Sequence, residues 1–179
     1  IWVDPQSYQA FLHALGHVFR NAVVHGLYSP EDRWAAAKKE AGKISCHVTL
    51  EGRSIKLSIA DDGSGVDLDA LRKRAVEAGI YTADEILVIS DDEIASLVFR
   101  DRMSTRGTVT ELSGRGVGLA AVLSETQKLG GEVVVRSATG QGTQFLFTLP
   151  LRQNAVSSGL MAFQNRLADE IELVMRAII

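Results

Sequence analysis

From Pro5 to about Leu27 the apolar residues Phe11, Leu12, Leu15, Val18, Phe19, Ala22 and Val23 recur at helical spacing and predict one long amphipathic helix. Its other face is polar in an ordered way. His13, His17, Asn21 and His25 follow one another every four residues, so they stack along one stripe with Arg20 beside them. For His13 the plain reading is a solvated face; for Asn21, flanked by strongly apolar neighbours, a coordinating role carries equal weight. Ser29-Pro30-Glu31 next combines an N-cap, a proline at the first helical position and an acid in the first turn, predicting a short helix to about Ala41 ended by Gly42. Then the period changes. Ile44, Cys46, Val48 and Leu50 alternate with Ser45, His47, Thr49 and Glu51, Gly52 turns the chain, and Ile55, Leu57 and Ile59 repeat the alternation. This is a hairpin with one face on helices and one in water. Its alternation puts Cys46 and His47 on opposite faces, which argues against a joint metal site.

The second strand delivers Asp61-Asp62-Gly63-Ser64-Gly65 at its tip. Such a tip is either an ordinary turn or a carboxylate set in a pocket whose glycines let a flat ligand approach the backbone. A helix from about Leu68 to Ala78 presents Arg72, Lys73 and Arg74, and two short helical pieces fall between Tyr81 and Phe99, the second opening at Ser90-Asp91-Asp92-Glu93. Arg100 to Ser113 has no sustained period and reads as a loop, a candidate lid. It runs into Leu112-Ser113-Gly114-Arg115-Gly116-Val117-Gly118-Leu119, three glycines spaced by two before a helical pattern. Glycines there bring backbone N–H groups to an anion and the helix end favours it, although plain packing uses the same device. That helix turns Leu119, Val122, Leu123 and Leu129 inward and stops at Gly130-Gly131. Glu132 to Ser137 and Thr143 to Leu149 are strands around the turn Thr139 to Gly142, and Pro150 closes the sheet. The tail from Ser158 to Ile179 carries Leu160, Phe163, Leu167, Ile171, Val174 and Ile178 on one stripe, which needs a partner in this domain or another chain.

Composition narrows the partners. At 179 residues the chain suits one domain with its own core, and a net charge of −3 supplies no general field for nucleic acid or an anionic membrane, while leaving room for a local basic site. The single cysteine, Cys46, suits a reducing compartment and permits no intramolecular disulfide. No apolar run approaches the ~20 residues that span a bilayer, and the N-terminus lacks a signal-peptide layout, so the expectation is a cytoplasmic protein. The opening Ile1-Trp2, without Met, suggests a piece of something longer.

The order of motifs is now helix with Asn21, strand ending in Asp61-x-Gly63-x-Gly65, lid, glycine loop and helix, strand, Gly140-x-Gly142-Thr143, strand. It resembles the GHKL ATP-binding fold of histidine kinases, type II topoisomerases and mismatch-repair ATPases. Within that fold His17 to Ala22 with His25-Gly26, the Pro30-Glu31-x-Arg33 insertion, Ser90 to Glu93, Phe99 followed by Ser104-Thr105, and Ser113 to Gly118 resemble the catalytic domain of chemotaxis-type, CheA-like histidine kinases. The likeness covers about Pro5 to Leu151. It implies an α/β fold, a two-layer α+β sandwich whose mixed sheet is covered on one face by helices, with an ATP-binding domain over residues 1–151 and a linker and amphipathic helix over 152–179.

The same resemblance assigns roles. Asn21 offers a side-chain oxygen to Mg²⁺, Asp61 accepts the adenine amino proton, and Gly63 and Gly65 clear room for the ring. Gly114, Gly116 and Gly118, with Arg115 and Val117 between them, cradle the triphosphate of ATP; Ser104 and Thr105 belong to the lid; Thr143 closes the base pocket from the sheet side; Arg74 faces the phosphates. His17 stands where the ATPase branches carry a glutamate, which favours phosphoryl transfer over hydrolysis, with a ring hydrogen-bonded in the pocket wall as the alternative. Val24, Ala70 and Met103 depart from the family pattern. None of the four histidines sits in an acceptor-like motif, so the implied reaction passes the γ-phosphate to a histidine elsewhere, in cis or in trans, and from there to a response regulator. A homodimer through the last helix or through parts outside this chain is compatible with that scheme. The competing readings are an autonomous GHKL ATPase and a weakened nucleotide-binding interaction module.

Overall fold

The computed structural model describes residues 5–100, 118–151 and 159–178. Two hairpins build the sheet. The first pairs β1 (Ile44–Glu51) with β2 (Ser54–Asp61), the second pairs β3 (Glu132–Ala138) with β4 (Gly142–Pro150), and the strand order is β1-β2-β4-β3. The helices of the described residues are α1 (Gln9–Asn21), α2 (Pro30–Ala35), α3 (Leu68–Glu77), α4 (Asp91–Ser96), α5 (Gly118–Lys128) and α6 (Gly159–Ile178).

Alternation decides which face of the sheet is covered. Ile55, Leu57 and Ile59 of β2 and Phe145, Phe147 and Leu149 of β4 are buried beneath the helices, and Phe11 of α1 meets Phe147 edge-on at 5.3 Å between ring centroids. On the opposite face Lys56 Nζ donates to Thr148 Oγ1 at 2.9 Å and Gln144 Nε2 to Ser58 Oγ at 2.9 Å, cross-strand pairs of a polar surface. The two-layer sandwich is therefore the expected one. Its sheet, expected to be mixed, is antiparallel at every pairing of the described strands. The crossover from β2 does return as β3 in the same direction, but β3's own hairpin partner β4 lies between them, so no two parallel strands become neighbours.

The first helix is less regular than its sequence period. Pro5–Tyr8 form a tight 3₁₀ turn, α1 runs to Asn21, and Ala22–Gly26 form a widened π turn closed by Leu27 N–H on the Ala22 carbonyl at 2.8 Å. Six side chains of α1, Phe11, Leu12, Ala14, Leu15, Val18 and Phe19, enter the core. The tail helix docks on α1: Phe163 and Leu167 are buried, and Phe163 packs edge-on against Tyr8 at 5.5 Å while the Tyr8 hydroxyl donates to the Pro150 carbonyl at 2.6 Å. The partner that the apolar stripe of the tail requires is, for this part of it, the chain's own first helix. Among the described residues no helix is long and apolar enough to cross a membrane.

Helix α2 ends six residues before the expected stop. Ser29 caps it as expected, its hydroxyl accepting from Asp32 N–H at 3.2 Å. At the other end Lys38 N–H reaches the Arg33 carbonyl at 2.8 Å and Ala37 N–H the Trp34 carbonyl at 3.0 Å, the paired bonds of a Schellman closure. The residue at its turning point is Ala37, with φ of 53°, a left-handed conformation that glycine adopts freely and alanine does not. Replacing Ala37 by glycine is expected to stabilise the fold by about 1 kcal/mol. In a reversible thermal melt that is a rise of about 2–4 °C for a chain of this size, and a fall would show that the turn is not strained.

Candidate functional site

Asp61 is the last residue of β2 and shares the parity of Ile55, Leu57 and Ile59, so strand geometry turns its carboxylate toward the helix layer. There it is half-buried. Oδ1 accepts the Gly63 N–H at 2.9 Å and the Thr143 N–H at 3.3 Å, whereas Oδ2 takes no hydrogen bond from the described residues. Burial pushes the Asp61 carboxyl above its ordinary pKa and Asp62 next to it adds to the rise; the two backbone donors and Lys38 act in the opposite sense.

The chain around Asp61 is held by backbone pressed on backbone. A Cβ on Gly63 would overlap the Gly26 carbonyl, one on Gly65 the Ala138 carbonyl, and one on Gly142 the Asp61 carbonyl. Gly65 and Gly142 also have φ of 71° and 94°. Hydrogen bonds run along the same seams, from Ser64 N–H to the Gly26 carbonyl at 2.8 Å and from Gly140 N–H to the Ser64 carbonyl at 2.7 Å. The Ser137 hydroxyl accepts Val66 N–H at 2.8 Å, donates to the Gly142 carbonyl at 2.9 Å and lies 3.1 Å from Thr143 Oγ1. Space at Gly63 and Gly65 is thus taken by neighbouring main chain.

Asp62 has the opposite parity and a different fate. Arg33 of α2, almost fully buried, meets it with both ends of its guanidinium, Nη1 to Oδ1 at 3.1 Å and Nη2 to Oδ2 at 2.8 Å. Hydrogen bonding to Arg33 holds the Asp62 carboxyl below the usual range. Arg33 also donates to the Ala41 carbonyl at 3.2 Å, tying down the segment between α2 and β1. Lys38, in that segment, sends Nζ to the Asp62 and Gly63 carbonyls at 2.6 and 2.8 Å and lies 5.1 Å from the centroid of the Tyr28 ring.

The polar stripe of α1 ends beside this tip. Asn21 is half-buried in the last position of α1 and takes no hydrogen bond from the described residues. The π turn that follows brings Gly26 against Asp61: a Cβ on Gly26 would stand 3.3 Å from the carboxyl carbon. One helical turn before Asn21, His17 faces the first residue of α5, its Nδ1 3.6 Å from where a Gly118 Cβ would be. Partial burial, then Arg20 and His13, lower the His17 pKa, which favours the neutral imidazole at physiological pH. His13 lies on the far side, 3.6 Å from Glu170 of α6, as its solvated reading anticipated.

Of the residues singled out from the sequence, Asp61, Gly63, Gly65 and Thr143 are thus brought together, with Asn21 and His17 on the helix whose end abuts them and Gly118 beside His17. Arg74 is half-buried in the last turn of α3. Ser104, Thr105, Gly114, Arg115, Gly116 and Val117 lie outside the described residues. Sequence reasoning missed Lys38 and Ser137. Lys38 had no signal beyond its place in a basic run, and Ser137 none beyond a hydroxyl near a strand end.

Comparison with known proteins identifies the family. A family model described as "Histidine kinase-, DNA gyrase B-, and HSP90-like ATPase" matches residues 7–153. The chemotaxis protein CheA of Bacillus subtilis is 36% identical over 143 residues, which is 80% of this chain and 21% of that protein. The CheA of Borreliella burgdorferi is 42% identical over 149 residues, 83% of this chain and 17% of that one. A histidine kinase domain from the Erythrobacter litoralis EL346 blue-light activated histidine kinase covers 78% of this chain and 45% of its own, at 17% identity and a TM-score of 0.43. The chain spans about a fifth of the length of the curated relatives it matches. From α1 to the end of β4 the matched region takes in the sheet, its acidic tip and the helices beside it, and the chain belongs to the histidine kinase-, DNA gyrase B- and HSP90-like ATPases.

Proposed function

We propose that this chain is the ATP-binding catalytic domain of a chemotaxis-type histidine kinase and transfers the γ-phosphate of ATP, with Mg²⁺, to a histidine on another domain or chain. The nucleotide unit is residues 1–151, with 152–179 as a linker and docking helix, and the phosphohistidine passes its phosphate to a response regulator. One observation carries the choice of kinase over ATPase. A neutral imidazole, His17, rather than a carboxylate base, stands against the start of α5.

The residues present fit the ligands. Oδ1 of Asp61 is engaged by two backbone donors, which leaves Oδ2 as an acceptor for the exocyclic amine of adenine. Thr143 and Gly63 hold that carboxylate in place, and Gly65 fixes the turn behind it. Asn21 offers an amide oxygen that takes no hydrogen bond among the described residues, the donor type that Mg²⁺ accepts alongside water and phosphate. Among the described residues no three His, Cys, Asp or Glu side chains gather into a metal site of their own; Asn21 is the residue that would hold the ion, alongside the phosphates and water. The chemistry that Mg²⁺ would supply there is neutralisation of charge on the phosphoryl group. The N–H groups at the start of α5 favour phosphate through the helix end, and the phosphate-binding role falls to Gly114, Arg115, Gly116, Val117 and Gly118. Arg74, Ser104 and Thr105 add contacts to the phosphates. His17 orients the incoming nucleophile or accepts its proton, and Asp61 and Asn21 fix the two ends of the substrate so that transfer is intramolecular in effect.

Three variants test this. His17→Ala is expected to cut phosphorylation of an acceptor domain supplied in trans by about 100-fold or more while changing ADP affinity less than about threefold; steady phosphate release without any acceptor would instead mark an ATPase. Asn21→Ala is expected to abolish the Mg²⁺ dependence of ATP-analogue binding measured by calorimetry.

Asp61→Asn separates binding from stability. With the amide oxygen taking the two backbone donors, the NH₂ group replaces Oδ2 and opposes the adenine amine donor to donor, so ADP affinity falls by about 100-fold, about 2.7 kcal/mol. Because burial raises the folded-state pKa of Asp61, its contribution to stability is full below the ordinary carboxylate pKa and is lost as pH rises through the raised value. The asparagine variant is therefore expected to melt higher than the parent at pH 7.5, with the difference closing as pH falls through the carboxylate range. A lower melting temperature at pH 7.5 would contradict the burial of the charge.

A further inference from the structure

The segment between α2 and β1 does more than link two elements. Its one left-handed residue, Ala37, immediately precedes Lys38, and the turn aims the Lys38 side chain at the backbone just beyond Asp61. Two of the three Nζ donors end on the Asp62 and Gly63 carbonyls, with the Tyr28 ring alongside. Among the described residues no carboxylate pairs with this ammonium, since Asp62 is taken on both oxygens by Arg33. An ammonium in place of a neutral donor is more than closing a turn requires, and it follows directly on the strained Ala37.

We propose that Lys38 is a positioning residue for nucleotide recognition: by gripping the Asp62 and Gly63 carbonyls it holds the Gly63 N–H on Asp61 Oδ1, keeps Oδ2 turned toward the base and supplies the positive charge that favours the ionised acid. The proposal rests on the reading of Asp61 as the acceptor for adenine. Asp62 and Lys38 are the charged groups acting on Asp61 among the described residues, and they act in opposite directions; Gly26, Gly63 and Thr143 present only backbone to it. Arg33 lies behind Asp62 and is spent on it. Lys38 is therefore the charged side chain among the described residues that opposes burial and the neighbouring acid, though both outweigh it.

The test is calorimetric titration of the whole chain with ADP between pH 5 and 8, alongside thermal melts. Lys38→Met is expected to weaken ADP about tenfold at pH 7.5 and to move the acid limb of affinity, where Asp61 takes up a proton, to higher pH. Lys38→Arg, which keeps charge and donors, is expected to restore most of the affinity and return the limb toward its parental position. The double variant Ala37→Gly/Lys38→Met relaxes the turn and carries the same measurement in a chain protected against unfolding. Loss of affinity by the same factor at every pH, or a lowered melting temperature with the limb in place, would reduce Lys38 to a structural lysine and overturn the proposal, as would an unchanged affinity. Asp61→Ala separates the two readings: if it binds ADP normally, the acceptor assignment itself falls, whereas if it loses ADP and Lys38→Met does not, only the role of Lys38 falls.

Discussion

Three lengths of main chain approach one another around residues 61–65 more closely than side chains would permit, and the rest of the molecule is arranged to let them. Gly63 lies against Gly26, Gly65 against Ala138, and Gly142 against Asp61. Each contact joins a different element to the tip of β2. The π turn after α1 brings in Gly26, and the antiparallel register of β2 with β4 places the start of β4 opposite the end of β2. Peptide groups are stiff and carry both donor and acceptor, so a seam made of them fixes distance and orientation together. The result is a frame around a single carboxylate, in which the Thr143 N–H that meets Asp61 comes from 82 residues farther along the chain.

Adjacent acids at that tip show how strand parity divides labour. Asp61 turns into the layer between sheet and helices, where desolvation raises its pKa; Asp62 turns outward onto the Arg33 guanidinium, which lowers its own. The first is an acceptor with an open oxygen and the second is an anchor with both oxygens engaged. One residue of displacement along β2 would exchange the two environments, so the register of the hairpin is a condition of the site's chemistry as well as of the core.

Elements whose signal is local were legible in the sequence. The alternation of Ile55, Leu57 and Ile59 puts Asp61 at a strand tip and leaves open whether its carboxylate sits in a turn or a pocket, and Ser90 and Ser29 mark helix starts that the structure keeps. Other features depend on pairings between distant residues and left no such trace. The end of α2 falls short of the expected one: Ala35, Ala36 and Ala37 are good helix formers, but the closure there comes from bonds of Lys38 and Ala37 back into the helix and from Arg33 holding the segment that follows. The π turn was invisible because the apolar positions Ala22 and Val23 fit a regular helix as well as a widened one. A sheet's parallel or antiparallel character depends on which strands become neighbours, which hydrophobic period does not encode. Lys38 stood in a basic run whose members look alike until the backbone aims one of them.

The docking of α6 has a mechanical consequence. Helix α1 is a rod about 20 Å long, gripped near its first turn by Phe163 through Tyr8 and continued at its other end into the turn that abuts Asp61. His17 and Asn21 ride on the far half of that rod. Unseating Phe163 would therefore uncover Tyr8 at the foot of the same helix that carries the imidazole and the amide on its other half.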